Sequence, residues 1–211
     1  SYVGQSGYTG ISIERLNHNY GTPTSEGGFI QQSQNRYDFS HQTRDPFAGF
    51  SSFKFNAANI NYLHTEYNNN GAAFTQWSNK ANEARFELVH KEILGWSGTV
   101  GAQFTGASLN ATDLLSNSYA IVPPTKSNSN SVFWIEEGRF GALQTSLGAR
   151  YNLVSQNPNQ STAFPTDIDF TSQNGSPSPT APTLQNRNFN LFSYSAGGMW
   201  NLQGGYGLGM A

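Results

Sequence analysis

The chain has 211 residues, of which 36% are hydrophobic, 14% aromatic and only 11% charged, with a formal net charge of −2 and no cysteine. Soluble domains carry about 45–50% apolar residues, glycine included, and about 25% charged ones, while disordered chains are charged and poor in aromatics, so neither class fits. Near-neutrality offers nothing to neutralise phosphates, which argues against nucleic acid as a partner, and the missing cysteines exclude disulfides and thiolate metal sites.

Alternation of period two, the mark of a half-buried strand, recurs along the chain, and helical spacing is nearly absent. About nine strands are predicted, over 8–16, 28–44, 51–68, 75–93, 96–112, 129–138, 142–156, 187–202 and 206–211. In the first, Ile11 and Ile13 oppose Ser12 and Glu14; in the second, Tyr37 and Phe39 oppose Arg36, Asp38 and Ser40. The third changes phase. Phe53, Phe55 and Ala57 alternate one way, Ala58, Ile60 and Tyr62 the other, which predicts a β-bulge near Ala57-Ala58. In the fourth, Ala84, Phe86 and Leu88 oppose Glu83, Arg85 and Glu87; in the fifth, Val100, Ala102 and Phe104 oppose Thr99, Gly101, Gln103 and Thr105. The cleanest run follows at 142–156, where Leu143, Thr145, Leu147, Ala149, Tyr151 and Leu153 oppose Gln144, Ser146, Gly148, Arg150 and Asn152. Phe192, Tyr194, Ala196, Gly198, Trp200 and Leu202 then share a face against Ser193, Ser195, Gly197 and Asn201.

The connections alternate in length. Those around Asp45–Phe50, Leu94–Gly95, Gly138–Gly141 and Gln203–Gly205 are short; those around Asn17–Gly27, Asn68–Ala73, Asp113–Asn128 and Asn157–Asn186 are mostly longer and rich in Asn, Ser, Pro, Gly and Thr. Phe47, Phe50, Trp96, Phe140, Trp200 and Tyr206 cluster at the short turns. Long strands, alternating loop lengths and an aromatic girdle predict an all-β, antiparallel up-and-down transmembrane β-barrel segment, with the long loops extracellular. No apolar run approaches the ~20 residues of a membrane helix, and the mean hydropathy is −0.53. A barrel shows lipid only every second side chain, so neither fact counts against it. No signal peptide opens the sequence, and it ends at Leu208-Gly209-Met210-Ala211 in what reads as a strand, so a mature or internal piece is expected.

The stretch from Asn82 to Lys91, with its Arg85-Phe86-Glu87-Leu88 core, resembles the "RLELTHKP" barrel strand of TonB-dependent outer-membrane receptors. The turn Leu94-Gly95-Trp96-Ser97-Gly98 and the strand Val100-Gly101-Ala102-Gln103-Phe104 follow, as in that family. Ala120-Ile121-Val122-Pro123-Pro124-Thr125 is similar to its "AFVPPT" loop, and Tyr20-Gly21-Thr22-Pro23 and Arg36-Tyr37-Asp38 to its "YGIP" and "RYDL" segments. Phe133-Trp134-Ile135-Glu136-Glu137, Leu147-Gly148-Ala149-Arg150-Tyr151 and Phe192-Ser193-Tyr194-Ser195-Ala196-Gly197 come in the family's order, and the set is most like the zinc-uptake receptors. The resemblance implies that residues 1–211 are part of the β-barrel of a plugged transporter of about 22 strands. It implies, as partners, outer-membrane lipid, the remaining barrel strands, a plug domain and, through an N-terminal region, TonB; no plug domain or TonB box is found in the 211 residues. No resident cofactor is expected; the cargo would be zinc or an iron complex such as haem or a siderophore.

Metal ligands in such a chain are histidine and carboxylate. His64 and Glu66 are two apart on a strand and share one face, and His18 and Glu26 fall in one long-loop region, so these four are the metal candidates; the plainer reading is that they are solvated polar residues. Glu83, Arg85, Glu87, Glu136 and Arg150 are predicted to face the lumen, and His90 to sit on the lipid side near a turn. No catalytic residue is expected. The competing functions are a passive porin-like channel, an outer-membrane barrel hydrolase, for which four dispersed histidines are thin support, and a soluble β-rich adhesin.

Overall fold

The computed structural model describes residues 1–23, 27–115, 118–119, 122–159, 184–202 and 206–210. Eleven strands follow in order: β1 Tyr2–Gly4, β2 Gly7–Gly21, β3 Phe29–Arg44, β4 Phe50–Tyr67, β5 Ala73–His90, β6 Trp96–Asp113, β7 Ser118–Tyr119, β8 Thr125–Phe140, β9 Leu143–Pro158, β10 Arg187–Asn201 and β11 Gly207–Met210. All pair antiparallel with their neighbours in one open sheet of order β1-β2-β3-β4-β5-β6-β8-β9-β10-β11, and β7 pairs β6. No helix occurs among the described residues.

The nine expected strands are β2 to β6 and β8 to β11. β1 and β7 are additions, too short to carry any periodicity. The strand ends that flank 5–6, 45–49, 91–95, 141–142 and 202–206 lie at one end of the sheet, and those that flank 22–28, 68–72, 114–124 and 159–186 at the other. The length rhythm breaks only at 68–72, which is no longer than 45–49. Three short-end turns have two residues, and in one of them Leu94-Gly95 lies between the paired Ile93 and Trp96, with φ of 54° and 83°. Two positive φ values are those of a type I′ turn, whose twist matches that of its strands, and glycine adopts one without a Cβ penalty.

A bulge at Ala57-Ala58 is not found. Ala57 pairs Phe39 and Ala84, Ala58 pairs Asp38 and Glu83, and the register runs through without a shift; the shifts lie at Phe50/Ser52 and Glu66/Tyr67. The phase change comes from the surroundings. Below this point the face of Phe53, Phe55 and Ala57 is apolar across neighbouring strands, and above it the same face carries Asn59 and Asn61. Ala58, Ile60 and Tyr62 were on the opposite face throughout.

The sheet is a single layer. Among the described residues, Ala111 and Phe133 alone form a buried hydrophobic core, while Ile11 and Ile13 are each 71% exposed and Phe192 67%. One face bears an apolar band through Ile13, Phe39, Phe55, Phe86, Phe104 and Tyr151, bounded at the short-turn end by Phe50, Trp96, Phe140 and Trp200. Water does not tolerate a continuous apolar face of this extent on a stable monomer.

The other face is polar and more tightly packed. Phe133 lies flat there over Gly101, its partner across β6 and β8. A Cβ on Gly101 would strike the Phe133 ring and the Phe86 carbonyl. Gly101→Ala is expected to cost about 1–3 kcal/mol by overpacking, read as a lower urea midpoint. An unchanged midpoint would show that the ring has room to move.

Candidate functional site

Register places three rows of the polar face side by side: Glu83 with Thr105 and Ser129, Arg85 with Gln103, Ser131 and Asn152, and Glu87 with Gly101, Phe133 and Arg150. Their side chains close into a network. Arg85 donates to Glu87 through Nε at 2.7 Å and to the Gln103 Oε1 at 3.1 Å, and Gln103 Nε2 donates to Glu83 at 2.7 Å. Arg150 Nη2 donates to the same Gln103 oxygen at 3.1 Å and to the Ser131 hydroxyl at 2.7 Å, and its Nε donates to Asn152 at 2.7 Å. Both guanidinium groups stand over Phe133, at 4.3 and 5.8 Å from the ring centroid. Lys54 approaches Glu87 at 4.0 Å, and Arg36 grips Asp38 at 2.7 Å. Glu83, Arg85, Glu87 and Arg150 thus share the polar face. Charge on this wall is fixed by side chains from six strands, β3 to β6, β8 and β9, so it can meet water or a polar solute without rearranging.

Nearer the long-loop end, one row runs His18, Gln32, His64, Trp77. The Tyr62 hydroxyl and His64 Nδ1 share a hydrogen bond of 2.8 Å, and the His64 Nε2 faces Glu66 Oε1 at 3.7 Å. That separation is too long for a hydrogen bond. The imidazole stacks on Trp77, with centroids 5.9 Å apart. The Trp77 indole N–H and the Asn79 side-chain oxygen are buried beside it without a hydrogen-bond partner. His18 lies two strand spacings from His64, about 10 Å between backbones, with Gln32 between. Glu26 lies outside the described residues. The structure therefore brings His64 and Glu66 together and puts His18 in their neighbourhood; among the described residues no group of three metal-ligating side chains forms. Tyr62 and Trp77 belong to this cluster as fully as the histidine. Tyr62 was legible from its spacing, two residues before His64; Trp77 comes from another strand and only register reveals it.

Glu136 does not share the polar face, contrary to expectation. It pairs Leu147 and Gly98, and Trp134 beside it pairs Ala149 and Val100, all on the apolar face. There its oxygens take His90 Nε2 at 3.0 and 3.1 Å and the Trp134 indole N–H at 2.9 Å. His90 Nδ1 donates to the Lys91 carbonyl at 2.6 Å. The pair spans β6 because Gly98 has no side chain to stand in the way; a Cβ there would strike the Glu136 carboxylate. His41 also lies on this face, hydrogen-bonded to the Thr9 hydroxyl at 2.8 Å. The histidines are thus divided between the two faces.

No family model matches the sequence, and no curated protein matches it. Among solved structures, the copper transporter OprC is similar with a TM-score of 0.69 at 10% sequence identity, over 95% of this chain and 32% of that one. At that identity the likeness is one of fold: the open sheet corresponds to part of a larger barrel. The chain spans about a third of the length of the transporter it matches.

Proposed function

We propose that the chain is a wall segment of a TonB-dependent transporter in the outer membrane of a Gram-negative bacterium, and that the transporter takes up a metal ion or metal complex. What carries the reading is the sheet itself: one layer, apolar on an exposed face and cross-linked by polar side chains on the other, similar in fold to part of a protein described as a copper transporter. Lipid is the medium that an exposed apolar face of this kind suits, and in lipid every backbone group must be paired, which a closed barrel achieves. From Leu143 to Leu153 the apolar row of β9 covers about 25 Å of bilayer at ordinary barrel tilt. The remaining strands and a plug domain, through which TonB would act, belong to the parent chain in this reading.

The cargo contacts are assigned to His64 and Glu66, supported by His18 and, outside the described residues, by Glu26. Imidazole and carboxylate suit zinc, and imidazole also suits copper. In a strain lacking the native gene, His64→Ala in the full-length protein is expected to cut uptake of radioactive zinc or copper at limiting concentration at least roughly tenfold, the scale of a lost ligand interaction. Outer-membrane levels should be unchanged. An uncoupler of the proton-motive force should abolish the wild-type signal. Uptake that survives His64→Ala would remove the assigned contact, and uptake indifferent to the uncoupler would favour a passive channel.

A further inference from the structure

Of the arginines in the middle of the polar face, Arg36 and Arg85 each hold a carboxylate, Asp38 and Glu87. Arg150 does not. Its Nε donates to Asn152 and its Nη2 to the Gln103 Oε1 and the Ser131 hydroxyl, and all three acceptors are neutral. Among the described residues it makes no ion pair, and its Nη1, with two of the five guanidinium N–H groups, has no acceptor. On β8 the first charge on this face is Glu137, opposite Ser146 and four residues from Arg150 along β9. On β10 it is Arg187, six positions from Ser193, which pairs Arg150. The carboxylates of β5 are already engaged, Glu87 by Arg85 and Glu83 by the Gln103 amide nitrogen. Arg44, Arg139 and Arg187 also lack ion pairs, but they are exposed at strand ends, where water screens them. Arg150 is half-buried in mid-strand.

Its position is fixed. Ser131 donates to the Gln103 carbonyl at 3.3 Å while accepting from Arg150, and Gln103 spends its nitrogen on Glu83, which turns its oxygen to the two arginines. Three cations, Lys54, Arg85 and Arg150, face two carboxylates, Glu83 and Glu87, in this network, so one positive charge is left over. A partly buried charge without a counter-charge is a cost to folding. Held in one orientation, it is also what a binding site needs, because the side chain is ordered before the ligand arrives. The surface beside it is low. Towards β10 and the short-turn end its neighbours on this face are Ser193, Gly148, Ser195, Ser146 and Gly197, and the Ser195 hydroxyl comes within 2.7 Å of where a Cβ on Gly148 would stand. Space and hydroxyl groups therefore adjoin the unmatched charge. We propose that Arg150 is an oxyanion site on the inner wall of the barrel and that its ligand is a carboxylate, with Nη1 as the charged donor and the serines of β9 and β10 beside it. One leftover positive charge answers a carboxylate, whereas a phosphate dianion asks for more. The carboxylate belongs either to a solute passing along the wall or to a side chain of the parent chain beyond these strands. The proposal rests on the reading that the polar face lines the lumen.

The test uses the full-length protein in detergent, with citrate as the probe for a solute. If a solute is the source, calorimetry at pH 7 should show citrate bound by the wild type and held at least roughly tenfold more weakly by Arg150→Gln, the scale of a lost charge-assisted hydrogen bond. If the chain itself is the source, citrate finds the site taken and the urea midpoint carries the signal. Arg150→Gln then lowers the midpoint at pH 7, and the gap to wild type closes as the pH falls through about 4 and below, the ordinary carboxylate range. A carboxylate whose pKa Arg150 depresses adds stability above its unfolded pKa and loses it on taking up its proton. Glu83 and Glu87 titrate in both proteins and cancel in the difference. Lost bonds to Gln103, Ser131 and Asn152 alone give a gap that pH leaves unchanged. Asn152→Asp keeps the bonds of Arg150 and cancels its charge, so it serves where the glutamine variant does not fold. It should weaken citrate by a similar factor, and with an internal carboxylate it should not raise the midpoint, because the charge is already matched. Citrate bound alike by wild type and variants, or by none, together with a gap constant in pH and a midpoint raised by Asn152→Asp, overturns the proposal. Quenching of Trp134 by brominated phosphatidylcholine, read as the part lost in Trp134→Phe, reports the lipid-facing side separately. Quenching alongside that negative result ends this proposal alone; no quenching ends the lumen reading with it.

Discussion

His90→Leu is expected to destabilise the protein in a bilayer by on the order of 2–4 kcal/mol, while Glu136→Leu costs less. The asymmetry follows from what each deletion leaves behind. Without His90, the Glu136 carboxylate stays on the apolar face with only the Trp134 indole N–H as donor, and removing one partner of a desolvated pair leaves the other charge uncompensated. Without Glu136, the imidazole keeps its bond to the Lys91 carbonyl, and because a histidine can also stand neutral no charge need be left without a partner. The double variant His90→Leu with Glu136→Leu should recover most of the loss, because two apolar side chains suit that face. Urea unfolding of the full-length protein in lipid vesicles measures all three. Equal costs for the two single variants would mean that the pair is exposed to water and contributes little. Gly98→Ala offers a check from a third position, since the added Cβ would drive the Glu136 carboxylate from its place beside His90 while leaving both residues present.

Phe133→Ala is the second large effect, about 3 kcal/mol, at the lower end for a buried phenylalanine because the polar face admits water to the gap. The ring is only 6% exposed and has both guanidinium groups over it. It occupies the space that Gly101 leaves open. Phe133→Leu restores volume but not the π face, and should cost under about 1.5 kcal/mol plus part of the cation–π contribution of about 0.5–1 kcal/mol per exposed contact. The urea midpoints of the two variants separate packing from cation–π attraction. A leucine variant as unstable as alanine would assign the ring's role to the arginines.

Much of the fold was readable because the environment of this sheet alternates as its side chains do. Where one face was apolar and the other polar, as in 143–153, period two located both strand and face. Three features escaped for definite reasons. Tyr2–Gly4 and Ser118–Tyr119 are shorter than any period. At Ala57-Ala58 the change of phase looked like an extra residue, whereas the chain was leaving the apolar band with its register intact. At Phe133-Trp134-Ile135-Glu136 three apolar residues stand in succession, so alternation had no basis for choosing a face, and charge suggested the wrong one. Pairing of Glu136 with Leu147 decided it.

The candidate site divides in the same way. The spacing of His64 and Glu66 along β4 was enough to put them on one face, since side chains two apart on a strand always share it. Nothing in the sequence says that His18, Gln32, His64 and Trp77 form a row, or that two arginines from β5 and β9 share one glutamine oxygen. The order of residues along a strand is local and determines which face each one takes. Which residues of different strands meet is set by register, through hydrogen bonds between segments far apart in the chain, and that belongs to the folded sheet alone.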